Sequence, residues 1–273
     1  MKKKWLAAIA TLAVGALVLT GCGKQKETTL TVGASSTPHA EILKHVQPEL
    51  KKEGVNLQIK TFQDYVLPNK ELASGDLDAN YFQHKPFLDN WNKKNHGTLV
   101  SAGNVHLEPI GFYSKKYKKL SDLPDGATIL VSNNVADYGR VLEILKDAGL
   151  VTLKPGTKIE SATFNDIQTN KKNLKFKTDL EPKLMTQFYK RGEGDAVVIN
   201  ANYAVQAGLN PQKDSIALEK QTSPYANLVA VQKKNKNNPA IKKLMKALQS
   251  KSTQQWISKH YNGGVEPVYP NGK

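Results

Sequence analysis

Two neighbouring stretches of the chain concentrate aromatic and polar side chains, the types that line small-molecule pockets. Residues 61–69 read TFQDYVLPN, and residues 75–88 read GDLDANYFQHKPFL. The second stretch predicts a short strand that ends in large rings, and pockets form where strands end. Phe82 and His84 have the same parity, so both can point to one side of that strand. By composition alone, core packing of the rings and a surface position for His84 are the more common outcome.

No pattern of residues indicates an enzyme. The sequence has no Gly-x-Ser-x-Gly elbow, no glycine-rich phosphate loop and no His-Glu-x-x-His motif. None of its six histidines is paired at metal-ligand spacing, although His106 and Glu108 form a weak candidate pair on one side of an extended segment. We therefore expect no catalysis, no cofactor and no metal, and we keep a metal-binding lipoprotein as the less favoured alternative.

The N-terminus is typical of an export signal that ends in a lipidation site. Three lysines at 2–4 precede an apolar run from Trp5 to Leu19, which is short for a membrane span. The run ends in Leu-Thr-Gly-Cys, which looks like a bacterial lipobox whose Cys22 receives a diacylglycerol. We predict a signal peptide at 1–21 and a lipidated tether at 22–29, on the extracytoplasmic face of the cell membrane. An uncleaved anchor with a chance cysteine is the alternative.

The positive charge of the chain does not indicate a nucleic-acid partner. Lysine and arginine number 39 against 24 acidic residues, a formal net charge of +15. Loss of residues 1–21, which carry three lysines and no acid, lowers this to about +12. The lysines are scattered, only Arg140 and Arg191 are arginines, and no nucleic-acid motif is present. We exclude nucleic acid and interpret the charge as a solvated surface facing an anionic envelope.

Alternating strands and helices must position these residues. Continuous apolar runs at 129–131, 196–199 and 228–231 predict strands covered on both faces. Helical periodicity follows Pro38 and recurs at 141–145, and two helices are predicted near the C-terminus. This order predicts an α/β fold with mostly parallel sheets. The chain length favours two lobes, whose facing edges form a cleft that can close about hinges.

Segments along almost the whole chain after the N-terminal signal resemble the MetQ/NlpA family of methionine-binding lipoproteins. The most specific are DYVLPN at 64–69 and GDLDANYFQHKPFLD at 75–89. Shorter matches in the same order are PIG at 109–111, YSKK at 113–116, Gly139-Arg140, VIN at 198–200, SPYANL at 223–228 and NGG at 262–264.

The resemblance implies a two-lobed periplasmic-binding-protein fold, type II-like, with the ligand in the interlobe cleft. We expect the first lobe at 30–112, the second at 113–226, and a return to the first with C-terminal helices at 227–273. The family delivers its ligand to an ABC permease driven by a separate ATPase. L-methionine is the ligand that the resemblance implies, and a methionine-containing dipeptide or another amino acid is the alternative.

The resemblance also implies which residues bind the ligand. Tyr65, Phe82 and His84 would surround the thioether, whose polarizable sulfur packs well against ring edges. Arg140 would receive the carboxylate, and Asn200 and Asn227 would orient the amino and carboxylate groups.

The loop 132–138 departs from the family pattern. It reads SNNVADY, where only Asn133 and the following Gly139-Arg140 fit well, and Asn133 completes the predicted site. Tyr138 adds bulk and Asp137 adds negative charge near the expected carboxylate. This departure keeps the dipeptide and the other amino acid open as ligands.

Overall fold

The computed structural model describes residues 27–220 and 225–268, so the predicted signal peptide, Cys22 and most of the tether lie outside the described residues. The strands are β1 Thr28–Ser35, β2 Val55–Phe62, β3 Ala79–His84, β4 Leu99–Leu107, β5 Gly111–Tyr113, β6 Thr128–Ser132, β7 Val151–Leu153, β8 Ile167–Asn170, β9 Lys175–Leu180, β10 Ala196–Ile199, β11 Ala217–Leu218, β12 Asn227–Gln232 and β13 Glu266–Pro267. The helices are α1 Glu41–Lys52, α2 Leu67–Ser74, α3 Lys85–Asn95, α4 Tyr138–Asp147, α5 Met185–Arg191, α6 Ala201–Gln206, α7 Pro211–Asp214, α8 Pro239–Leu248 and α9 Lys251–Tyr261.

The first lobe is built on a sheet in the order β13-β4-β12-β3-β1-β2. Residues such as Val32 and Val46 form a core between this sheet and the helices α1, α8 and α9. On the other face, Leu72 and Leu88 from α2 and α3 pack against Leu228. Cover on both faces explains why β12 is apolar without alternation.

The second lobe is built on a sheet in the order β11-β5-β10-β6-β9. Helix α4 packs on one face through Val141 and Leu145, and Met185 of α5 packs on the other. The predicted boundary between residues 112 and 113 falls inside β5, and that strand pairs with β10. We therefore propose that the second lobe begins before Gly111 and keep the other predicted limits as proposals.

The α/β prediction is confirmed, but each sheet is mixed rather than mostly parallel. In the first sheet β1 pairs in parallel with β2 and β3, whereas β12 runs antiparallel to both β3 and β4. Strand β12 returns from the second lobe and lies between β3 and β4, and such a returning strand can run in either direction. Within the described residues, no helix combines the length and apolar character that crossing a bilayer requires.

The two sheets bring their strand ends toward each other. Strand β3 ends at His84, β6 at Ser132 and β10 at Ile199. The loop after β2 reaches the second lobe, where the Tyr65 hydroxyl donates to Asn202 Oδ1 at 2.6 Å. Ligands of α/β proteins bind beyond the carboxyl ends of strands, so this junction is the place to look for a site.

Candidate functional site

A cavity lies at the junction of the two lobes. It contains about 350 Å³ of space not filled by protein atoms, the solvent at its opening included. Its walls combine rings, amides and charged groups from both lobes: Tyr65, Phe82, Gln83, His84, Phe87, Glu108, Asn134, Arg140, Asn200, Ala201, Asn202 and Asn227.

Aromatic rings form one end of the cavity. The ring centroids of Tyr65, Phe82 and Phe87 lie 5.7 to 6.1 Å from one another, at the spacing and tilt of edge-to-face packing. Tyr65 also contacts Tyr203 of the second lobe, with centroids 5.2 Å apart. Burial raises the pKa of the Tyr65 hydroxyl, so this group stays protonated and donates to Asn202. This end suits an apolar, polarizable ligand group.

His84 joins the two lobes inside the cavity wall. It is the N-cap of α3, and its Nδ1 accepts from the backbone N–H of Phe87 at 3.2 Å. Nδ1 is therefore unprotonated, and Nε2 donates to Asp137 Oδ1 at 3.0 Å. The alternation of side chains along the strand predicted that Phe82 and His84 would share a side. Gln83, between them in the sequence, also lines the cavity, so alternation alone does not explain this wall.

Asp137 is buried among donors, and it is absent from the cavity wall. Besides His84, it accepts from Asn134 Nδ2 at 2.7 Å, Asn200 Nδ2 at 2.9 Å and Arg140 Nη1 at 3.3 Å. Burial would raise its pKa, but the bonds from His84 and the charge of Arg140 outweigh burial and hold the pKa well below its usual range. Asp137 therefore lies directly behind the cavity wall, where four donors from its own neighbours bond to it.

Tyr138 also points away from the cavity. Its ring packs against Phe164 at 4.8 Å between centroids, and its hydroxyl lies 3.4 Å from the carbonyl of Thr178. The bulk expected near the ligand carboxylate lies instead in the core of the second lobe. Gly139 follows, and a Cβ there would come within 1.8 Å of the backbone oxygen of Ile159. The close approach of that backbone explains why only glycine fits before Arg140.

Arg140 lines the cavity in the first turn of α4 and is already paired with an acid. Its Nε lies 2.9 and 3.0 Å from the two carboxylate oxygens of Glu219, and Nη2 makes a further short contact with that carboxylate. Nη2 also donates to the carbonyl of Glu108 at 2.6 Å. Burial would lower the Arg140 pKa, but Glu219 and Asp137 raise it above its usual value. Its charge is therefore fixed, and Glu219, which the sequence argument did not identify, sets its orientation.

Asparagines complete the polar wall. Asn200 follows β10 directly, and Asn227 is the first residue of β12. Asn133 lies in the wall of a neighbouring groove, whereas its neighbour Asn134 lines the cavity. The backbone N–H of Asn133 bonds to the carbonyl of Leu180, which ties this residue to β9. Of the seven predicted site residues, the structure brings six together in the cavity wall, and Asn133 lies outside it. The six are Tyr65, Phe82, His84, Arg140, Asn200 and Asn227.

Glu108 is the wall residue that sequence reasoning came nearest to finding. Its Oε1 lies 2.7 Å from His106 Nε2 and 3.0 Å from His39 Nε2. The sequence showed His106 and Glu108 as a weak pair, but His39 comes from a segment about seventy residues earlier. His106 lies in β4 and Glu108 directly follows that strand, whereas His39 lies in the turn before α1. The three residues meet only in the folded first lobe.

Comparison with known proteins gives consistent matches over the chain. The family model described as NlpA lipoprotein matches residues 30–269. The methionine-binding lipoprotein MetQ of Bacillus subtilis (strain 168) is 48% identical over 98% of this chain and 99% of its own length. The D-methionine-binding lipoprotein MetQ of Escherichia coli (strain K12) is 39% identical, with 97% of each chain covered.

A solved structure matches the fold equally well. A nutrient binding protein from Burkholderia cenocepacia, bound to methionine, superposes with a TM-score of 0.83 at 44% sequence identity. The match covers 88% of this chain and 100% of that protein.

Proposed function

This chain belongs to the NlpA lipoprotein family, and from that premise we propose that it captures methionine for an ABC importer. It acts as a binding protein and returns its ligand unaltered. Relatives that match almost the full length of the chain are methionine-binding lipoproteins, which supports this ligand class.

The observation that carries the proposal is the combination, in one cavity wall, of a cluster of rings with groups of both charges. Tyr65, Phe82 and Phe87 offer ring edges and faces, against which a thioether sulfur gains contact energy. Glu108 and Arg140 offer both signs of charge in the same wall, as a zwitterionic amino acid requires. We propose that Arg140 attracts the carboxylate, with amide donors from Asn200 and Asn227 beside it.

The free amino acid fits this wall better than a dipeptide. The two features that favoured another ligand were Asp137 and Tyr138, and neither lines the cavity. Asp137 is satisfied by four donors, and Tyr138 packs in the second lobe. We therefore rank L-methionine first.

The permease, the ATPase and the membrane anchor complete the proposal. Residues 19–22 carry the lipobox pattern, so we propose that acyl chains on Cys22 hold the protein at the extracytoplasmic face of the cell membrane. A binding protein held there would meet the permease by diffusion in the plane of the membrane.

Titration calorimetry on ligand-stripped protein tests the ligand. We expect L-methionine to bind more tightly than glycyl-methionine, leucine or glutamine, because only a free amino acid with a thioether offers both the zwitterion and the sulfur that this wall suits; D-methionine is included to measure stereoselectivity. Chromatography of the released ligand should show unchanged methionine. If leucine or glutamine bound as tightly as every methionine compound, the assignment of the ring pocket would be wrong.

A further inference from the structure

A buried chain of hydrogen bonds stands behind Glu108. The Tyr81 hydroxyl makes a short contact with His106 Nδ1, and His106 Nε2 reaches Glu108 Oε1 at 2.7 Å. On the other side, His39 Nε2 lies 3.0 Å from the same oxygen and 3.0 Å from Asn227 Oδ1. Tyr81 and His106 are 0% exposed and His39 is 1% exposed, so water does not compete with these bonds.

The chemistry of the acceptors fixes the protons in this chain. Glu108 offers only acceptor oxygens, so the Nε2 atoms of both imidazoles carry hydrogen. Burial lowers the pKa of His106, which leaves its Nδ1 unprotonated and able to accept from Tyr81. The same two imidazoles outweigh the effect of burial on Glu108 and hold its pKa well below the usual range. Glu108 is therefore a carboxylate in the cavity wall with one oxygen, Oε1, held from behind.

Glu108 differs from the other buried carboxylates near the cavity. Asp137 shares His84 and Arg140, and Glu219 receives two nitrogens of Arg140. The side-chain contacts of Glu108 come from imidazoles, and Arg140 reaches only its backbone carbonyl. A buried carboxylate is stabilised by a cationic neighbour, so a cationic ligand group at Glu108 would add its attraction to the bonds from the imidazoles.

We propose that Glu108 recognises the cationic α-amino group of the ligand and that His39, His106 and Tyr81 are positioning residues that hold this carboxylate in place. The proposal rests on the proposed function and deepens it, because it makes a free ammonium group the feature that the site selects. His39 serves a second purpose: by engaging Asn227 Oδ1, it leaves the Nδ2 donors of that amide for the ligand.

The same three residues have the composition of a metal site, and the hydrogen-bond pattern argues against that use. The candidate ligand atoms of His39, His106 and Glu108 lie within 4.8 Å of one another. However, the imidazole nitrogens lie 2.7 and 3.0 Å from Glu108 Oε1, which are hydrogen-bond lengths, so an ion between these atoms would have to replace the bonds seen here. Zinc binding is therefore an outcome that the experiment must exclude.

The test compares methionine with its analogue that lacks the amino group, 4-(methylthio)butanoate. We expect Glu108→Gln to weaken methionine binding about thirtyfold, the size of a lost charge-assisted bond. The same variant should change affinity for the analogue less than threefold, so that discrimination by the wild type collapses. Glu193→Gln, at the exposed surface of the second lobe, is the matched control and should change neither affinity.

An equal loss for methionine and the analogue would show that Glu108 acts only in the fold and would overturn the proposal. Failure of wild-type protein to bind methionine would instead overturn the proposed function itself. Stoichiometric binding of Zn²⁺ to wild-type protein, lost in Glu108→Gln, would also overturn the ammonium assignment in favour of a metal.

The role of the positioning residues is tested by the pH dependence of methionine affinity, because a variant that merely loses structure would not change that dependence in the expected way. The titratable or charged groups that face Glu108 are His39, His106, Tyr81, Tyr65, Tyr261 and Arg140. With both imidazoles present, methionine affinity should stay constant from pH 8 to pH 5. In His106→Leu one of the two imidazoles that offset burial is lost and the pKa of the Glu108 carboxyl rises, so affinity should fall more than in the wild type as the pH decreases through this interval. His106→Gln keeps a donor and should restore most of the wild-type profile; identical profiles for all three proteins would refute the role of His106.

Discussion

At the scale of single residues, the carboxylate of Asp137 connects the lobes. His84 reaches it from the end of β3, whereas Asn200, Asn134 and Arg140 reach it from the second lobe. All four groups are donors, so the site requires an acceptor that carries negative charge. An amide in its place would turn a donor toward donors and remove the charge that balances Arg140.

We predict that Asp137→Asn lowers the free energy of unfolding by about 3 kcal/mol at pH 7, as expected when one partner of a buried ion pair is removed. The lowered pKa of Asp137 stabilises the fold fully above the ordinary carboxyl pKa near 4 and does so less as the pH falls below it. The deficit of the variant should therefore shrink below about pH 4. Urea unfolding across a pH series measures both effects.

Asp147→Asn is the control for this prediction, because Asp147 is the exposed last residue of α4 and forms an ion pair with the exposed Lys220. Exposed ion pairs contribute little, so this variant should unfold within about 0.5 kcal/mol of the wild type. If Asp137→Asn were equally mild, Asp137 would not balance the charges assigned to it.

At the scale of elements, the loop between β2 and α2 forms the contact that closes the ring end of the cavity. Tyr65 in this loop bonds to Asn202, and the carbonyl of Gln63 accepts from the Tyr203 hydroxyl at 3.1 Å. Asn202 and Tyr203 both lie in the first turn of α6, which begins directly after β10. Separation of the lobes would break these bonds, so each of them favours the closed arrangement.

We predict that Tyr65→Phe weakens methionine binding about fivefold, because the ring still lines the cavity while one buried hydrogen bond between the lobes is lost. Tyr138→Phe is the matched control, since its hydroxyl contacts Thr178 within the second lobe. Calorimetry should show unchanged affinity for this control. Equal effects of the two substitutions would mean that the Tyr65 bond does not contribute to closure.

At the scale of the whole molecule, the binding lobes and the anchor are separate parts of one chain. The proposed binding residues lie between Tyr65 and Asn227, whereas the proposed lipidation site is Cys22. The lobes should therefore bind ligand without the acyl chains, and the acyl chains should decide only where the protein resides.

We predict that Cys22→Ala abolishes incorporation of labelled palmitate and moves the protein out of the detergent phase, because this thiol is the group that receives the lipid. Purified Cys22→Ala protein should bind methionine with wild-type affinity, which serves as the internal control. Unchanged palmitate labelling in the variant would contradict the lipobox assignment.

The sequence by itself determined the order of strands and helices, because local periodicity and continuous apolar runs report burial directly. The strands predicted at 129–131, 196–199 and 228–231 lie within β6, β10 and β12. It could not determine strand direction, because the direction of β12 depends on how the chain returns from the second lobe. The site residues near specific motifs, such as Phe82 and His84, were predicted through their resemblance to a family.

Only the tertiary structure decided what the charged residues near the cavity contact. Asp137 was expected to add negative charge near the ligand carboxylate, and the structure shows that His84 from the other lobe, 53 positions away in the sequence, bonds to it. Arg140 meets Glu219 across 79 positions, and His39 meets Asn227 across 188. The energy of a charge depends on its nearest partners and on the exclusion of water. Those partners come together only when distant strands pair, so no local pattern in the sequence could identify them.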